Sequence, residues 1–96
     1  MANAYFKLIS VIIDTKYKGK LLNRTILNHI KRGTLLVRTD TGEYFKLYNY
    51  TKNSEVFGVL TLHGPYVDSV WDSVCWAHLY RVGTEADLLT FKIKEM

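Results

Sequence analysis

Cys75 and His78 come closest to a nucleophile and its base: three positions apart, a thiol and an imidazole meet on a helix but hardly on a strand. Such a pair needs a third group to orient the base, and none is evident in the sequence. A lone cysteine between Val74 and Trp76 reads instead as a small buried hydrophobe, its thiol held back from ionising. Asp68 and Asp72, four apart, share one helical face, where two carboxylates can exchange protons or hold Mg2+. Beside an apolar stripe of Val67, Val70, Trp71 and Val74 they read as the solvated side of that helix. His29, His63 and His78 are too widely spaced for a metal-ligand pattern, and there is no P-loop and no GxGxxG. The sequence therefore assigns no catalytic residue, no metal and no cofactor, and predicts that the chain is not an enzyme.

Binding chemistry is better represented. At about 100° per residue, Lys20, Arg24 and Lys31 fall within about 40° of one another on a helical wheel, opposite Leu22, Ile26 and Ile30. Lys16 and Lys18 flank Tyr17, and Lys46 and Lys52 flank Tyr48 and Tyr50, an interleaving that can neutralise phosphates and stack bases. Thirteen aromatic residues (seven Tyr, four Phe, two Trp) are more than a small core encloses with ease, so some must reach the surface. Tyr and Trp bury large area at low entropic cost, which makes them common interface anchors. Tyr44, Tyr48 and Tyr50, at period two with Lys46, are expected to form an exposed tyrosine ladder.

These residues need elements to hold them. Residues 4–14 are apolar on both alternating faces and predict an interior strand, followed by a turn at 15–19. Leu22, Ile26, His29 and Ile30 predict a helix over about 21–32, with Lys31 and Arg32 in its last turn, Gly33 as its stop and no good N-cap before Leu21. Residues 34–39 and 43–50 around Asp40-Thr41-Gly42 read as a hairpin, and 51–55 as a polar turn. Residues 56–63 predict another interior strand, with Gly58 marking close packing or a bulge. After Pro65 the signals conflict, and the reading adopted is a short helix over about 67–73 and a strand over about 74–82. Leu89, Phe91 and Ile93 alternate with polar residues and predict a last, half-buried strand. The expected fold is α+β: one domain over 1–96, a mostly antiparallel twisted sheet of five to six strands, one helix and a short second one.

Composition sets the outer limits. The chain has 96 residues, 48% hydrophobic and 23% charged, enough for one small core and too ordered a mixture for disorder. A single cysteine rules out an internal disulfide. No apolar run reaches the ~18 residues of a membrane span, and Lys7 interrupts the early apolar stretch that a signal peptide would need. A cytoplasmic protein is expected, so the sequons at Asn23 and Asn49 read as coincidence. The net charge of +4 is uneven: residues 1–52 hold ten Lys/Arg against three Asp/Glu, and 53–96 hold three against six.

This short, Tyr/Lys/Asn-rich profile resembles the small accessory proteins of phage and viral genomes, which implies a host or defence protein as target. The expected function is that of a non-enzymatic binding protein occupying a surface of a protein partner through Tyr44, Tyr48 and Tyr50, with Lys20, Arg24 and Lys31 steering association. The alternatives are a nucleic-acid-binding regulator using the basic half and a protein sequestering a small ligand or nucleotide, and a homo-oligomer is compatible with each.

Overall fold

Leu35, Leu36 and Val37 are consecutive and all buried, which a strand permits only when both of its faces are covered. They form most of β1 (Leu35–Arg38), an inner strand of a five-stranded antiparallel sheet. The computed structural model describes residues 11–62 and 68–95. Its other strands are β2 (Tyr44–Asn49), β3 (Val56–Thr61), β4 (Ser69–Ser73) and β5 (Tyr80–Val82), in the spatial order β4-β3-β2-β1-β5. The chain therefore makes a four-strand meander and then returns to pair β5 with β1. The fold is α+β, as the sequence predicts.

One sheet face carries Leu36, Phe45, Leu47, Phe57, Val59, Tyr80 and Val82, covered by Leu22, Ile26, Leu27, Ile30 and Ala77. The other carries Leu35, Val37, Tyr44 and Leu62 under Phe91, with Val11, Ile13 and Leu88 at its margin. The hairpin turn at Asp40-Thr41-Gly42 forms as expected, with Gly42 at φ +76°.

Four elements differ from the sequence reading. The first helix is only α1 (Arg24–Leu27), capped by Asn23, whose Oδ1 accepts from Ile26 N at 2.8 Å. Leu22 before this cap and Leu27 after it are buried in one cluster, the arrangement of a hydrophobic staple. The stripe Leu22, Ile26 and Ile30 is buried as expected, but Asn28 ends the helix, His29 is exposed, and a turn leads to Gly33 at φ +90°.

Residues 69–82 invert the predicted order: 69–73 are strand β4, and Val74–Leu79 form a 3-10 helix before β5. Ser73 makes the switch, its Oγ accepting from Cys75 N at 3.2 Å as the cap of the 3-10 helix. The last segment is a helix, α2 (Glu85–Glu95), not a strand. Thr84 and Asp87 form a reciprocal capping box: Asp87 Oδ2 accepts from Thr84 N at 2.8 Å and Thr84 Oγ1 from Asp87 N at 3.2 Å. Of the expected strand 4–14, residues 4–10 lie outside the described residues, and 11–14 contribute one parallel bridge, Ile12 to Thr34. No helix among the described residues is long and apolar enough to cross a membrane.

Candidate functional site

The tyrosine ladder does not form, because β2 changes parity midway. Leu47 pairs with Val59 but Asn49 pairs with Gly58, so two steps on β2 match one on β3 and Tyr48 is the extra residue of a bulge. A one-residue slip sends the downstream side chains to the opposite face. Tyr50 accordingly packs against the first core cluster, its hydroxyl accepting from Asn53 N at 3.1 Å. Tyr44 is buried beneath α2, its ring 4.9 Å from that of Phe91. Burial, and secondarily the charge of Asp87, holds its phenol above the usual range. Of the three rings, only that of Tyr48 is exposed.

The three cations do not share a helix surface either, because α1 is a single turn that excludes Lys20 and Lys31. Arg24 is turned inward to the 51–55 turn, donating to Ser54 O at 2.9 Å and to Glu55 Oε1 at 3.0 Å. Lys20 lies on the segment that lines β5, and Lys31 in the turn before β1; both are exposed. Other basic side chains are likewise paired, Lys18 with Glu85, Arg38 with Asp40 and Arg81 with Asp87.

Nor do the acid and thiol candidates converge. Cys75 is exposed rather than buried, contrary to the sequence reading, because the 3-10 helix turns Ala77 into the core, with Val74 and Leu79 packed at its margin, and leaves Cys75 outside. The His78 ring lies 6.0 Å from Trp76. Asp68 is exposed, whereas Asp72 accepts a 2.9 Å hydrogen bond from the Tyr80 hydroxyl. Burial, reinforced by this bond, pushes the Tyr80 phenol up to about 12. Among the described residues no three His, Cys, Asp or Glu side chains gather where they could hold a metal.

What the structure does bring together is Tyr48 and Trp71. Their rings meet edge to face at 6.1 Å and 74°, although Tyr48 is 44% exposed and Trp71 50%. Gly58, between them in the sheet, makes room for the indole: a Cβ there would lie 2.9 Å from Trp71 Cε2. A pair of large aromatic rings left half in water, on a sheet whose inner strand β1 is covered on both faces, is an unexpected feature of the described surface.

Trp71 also lies on an edge strand of the described sheet. The opposite edge, β5, is lined by the segment 19–22: Gly19 N donates to Val82 O at 2.8 Å, Val82 N to Lys20 O at 2.9 Å and Leu22 N to Tyr80 O at 2.9 Å. No described strand lies beyond β4. Thr61 N donates to Asp68 O and Val74 N to Glu55 O, both at 2.9 Å, which sets the phase of the β3–β4 ladder. Antiparallel pairing alternates, so Asp68, Val70, Asp72 and Val74 turn their main chain toward β3, while Ser69, Trp71 and Ser73 turn theirs outward. β4 carries neither Lys nor Pro, the usual guards of an exposed edge. Sequence reasoning missed Trp71 because it placed 67–73 on a helix; the signal available was the alternation Ser69, Trp71, Ser73 opposite a glycine-containing strand. Compared with family models, curated proteins and solved structures, the chain matches none.

Proposed function

We propose that this chain is a non-enzymatic binding protein that acts by occupying a surface of a protein partner, and that Tyr48 and Trp71 are its anchors. The observation that carries the reading is the half-exposed, edge-to-face Tyr48–Trp71 pair beside a strand edge that no other described strand lines. Of the six residues singled out by sequence, Tyr48 remains an anchor and Lys20 and Lys31 remain exposed cations suited to steering. The nucleic-acid alternative has less support, because Arg24, the middle of the expected basic surface, is engaged within the molecule. The accessory-protein profile extends the proposal to a host or defence protein in the cytoplasm as the target.

The test is affinity capture with wild type, Trp71→Ser and Lys20→Ala as parallel baits at low and moderate salt, with thermal melting to confirm that all three fold. The expected result is a protein retained at moderate salt by wild type and Lys20→Ala and lost with Trp71→Ser. Retention by folded Trp71→Ser overturns the assignment. Capture of nucleic acid that falls away steeply with salt would favour the regulator instead.

A further inference from the structure

We infer that the outer edge of β4, which no other described strand lines, pairs with the same edge of a second copy of this chain, antiparallel and two-fold symmetric about Trp71. The inference rests on the binding role proposed for Tyr48 and Trp71, and names what completes their surface. Outward main-chain groups can bond only outward groups of a partner strand, and on β4 these belong to Ser69, Trp71 and Ser73. An axis at Trp71 sets that residue against the partner's Trp71 and Ser69 against the partner's Ser73, so each outward residue of the strand meets another, the Ser73 carbonyl alone being already engaged at the start of the 3-10 helix.

Charge selects the same register. Asp68-Ser69-Val70 and Asp72-Ser73-Val74 are a tandem repeat flanking Trp71. With the axis at Trp71, Asp68 faces the partner's Val74 and Asp72 faces the partner's Val70, so no carboxylate opposes another. Moving the axis to residue 70 sets Asp68 against the partner's Asp72, and moving it to 72 sets Asp72 against its own copy. Either move also loses one of the outward pairs. The strand has no cation to repel a copy of itself or to attract a polyanion.

The pairing joins the two aromatic surfaces. Directly opposed residues of an antiparallel pair project to one side, so the two indoles lie together with a Tyr48 ring beyond each. The result is a row of four rings that neither copy has alone, and this row is the platform offered to the proposed partner. Two half-exposed rings per copy, at about 100 Å² each, and a short strand put the contact at the small end of specific interfaces, so the dimer is weak.

Analytical ultracentrifugation of the full chain from about micromolar to about millimolar concentration tests this directly. The mass is expected to rise from 11.2 kDa toward twice that value. Ser69→Pro removes an outward N–H at an edge position where proline is tolerated, and is expected to stay monomeric with an unchanged circular dichroism spectrum. In a Cys75→Ser background, Ser69→Cys combined with Ser73→Cys is expected to give a covalent dimer on mild oxidation, and Ser73→Cys alone is not. A wild type that is monomeric throughout, or a folded Ser69→Pro that dimerises as wild type does, overturns the pairing. The binding role of Trp71 stands or falls separately, on the capture comparison with Trp71→Ser.

Discussion

The Tyr80 hydroxyl donates a 2.9 Å hydrogen bond to Asp72 Oδ2, joining β5 at one end of the strand order to β4 at the other. Laid flat, strands at the two ends of a five-stranded sheet would stand about 19 Å apart at ~4.8 Å per step, beyond the reach of a tyrosine and an aspartate. The sheet must therefore curl around the Tyr80 ring, which also meets Phe45 and Phe57 edge to face, each at 5.5 Å. Arg38 caps the ring from 5.4 Å.

The two halves of this bond should not be equally costly to remove. Tyr80→Phe deletes one hydrogen bond and is expected to cost about 1 kcal/mol, whereas Asp72→Ala strands a fully buried hydroxyl and is expected to cost about 1–3 kcal/mol. Urea denaturation of both variants checks the order. The phenol adds a pH signature. Its folded pKa is raised to about 12 from an ordinary 10, so its contribution is complete below about pH 10 and is lost as pH rises toward 12. Tyr80→Phe should flatten that alkaline decline in a pH series of melting temperatures.

Asp87 gives the opposite dependence. It accepts from Arg81 Nη2 at 2.8 Å and from Thr84 N at 2.8 Å, and Arg81, the larger influence, holds its carboxyl below the usual range. Its stabilising contribution is complete above the unfolded value of about 3.9 and is lost as pH falls through the lower folded value. Asp87→Asn should make the melting temperature less sensitive to acid below about pH 4.

Among the described residues of α2, Phe91 is the one fully buried side chain that the helix contributes to the core. Phe91→Ala is expected to cost about 3–5 kcal/mol and to reduce far-ultraviolet helix signal as α2 loses its hold on Tyr44. An unchanged denaturation midpoint would mean that the segment docks by other contacts.

Gly58→Ala is expected to act on the surface rather than on stability. The added Cβ would lie within about 3.0 Å of the Trp71 indole, whose half-exposed ring can move aside. The cost should stay below about 1 kcal/mol, partly offset by the lower chain entropy of alanine when unfolded. The near-ultraviolet circular dichroism of the Tyr48–Trp71 pair should nevertheless be lost, and partner capture with it.

Much of the fold was legible because it follows from local chemistry. The apolar runs of β1 and β3, the loop with Gly42 and the stripe Leu22, Ile26, Ile30 each satisfied one periodicity only. The misreadings share a cause. Leu89-Thr90-Phe91-Lys92-Ile93 alternates as a strand should, yet the capping box of Thr84 and Asp87 directs the segment into a helix that buries Phe91 and leaves Leu89 and Ile93 in water. Ser69–Ser73 fits a helical stripe equally well, but pairing with β3 exists only in three dimensions. The binding anchors were half legible for the same reason: the bulge at Tyr48, which separates Tyr48 from Tyr50, depends on the partner strand and not on β2 alone.

The place of β1, bonded to β2 and β5 and covered on both faces, has a consequence for amide hydrogen exchange. Leu36 and Val37 have no route to solvent short of unfolding the whole sheet, so their amides should exchange at the rate set by global stability. In the monomer, the outward amides of Ser69, Trp71 and Ser73 sit at the other extreme, where exchange approaches that of an open chain. The two ends of that scale lie three strands apart, in one sheet of one small protein.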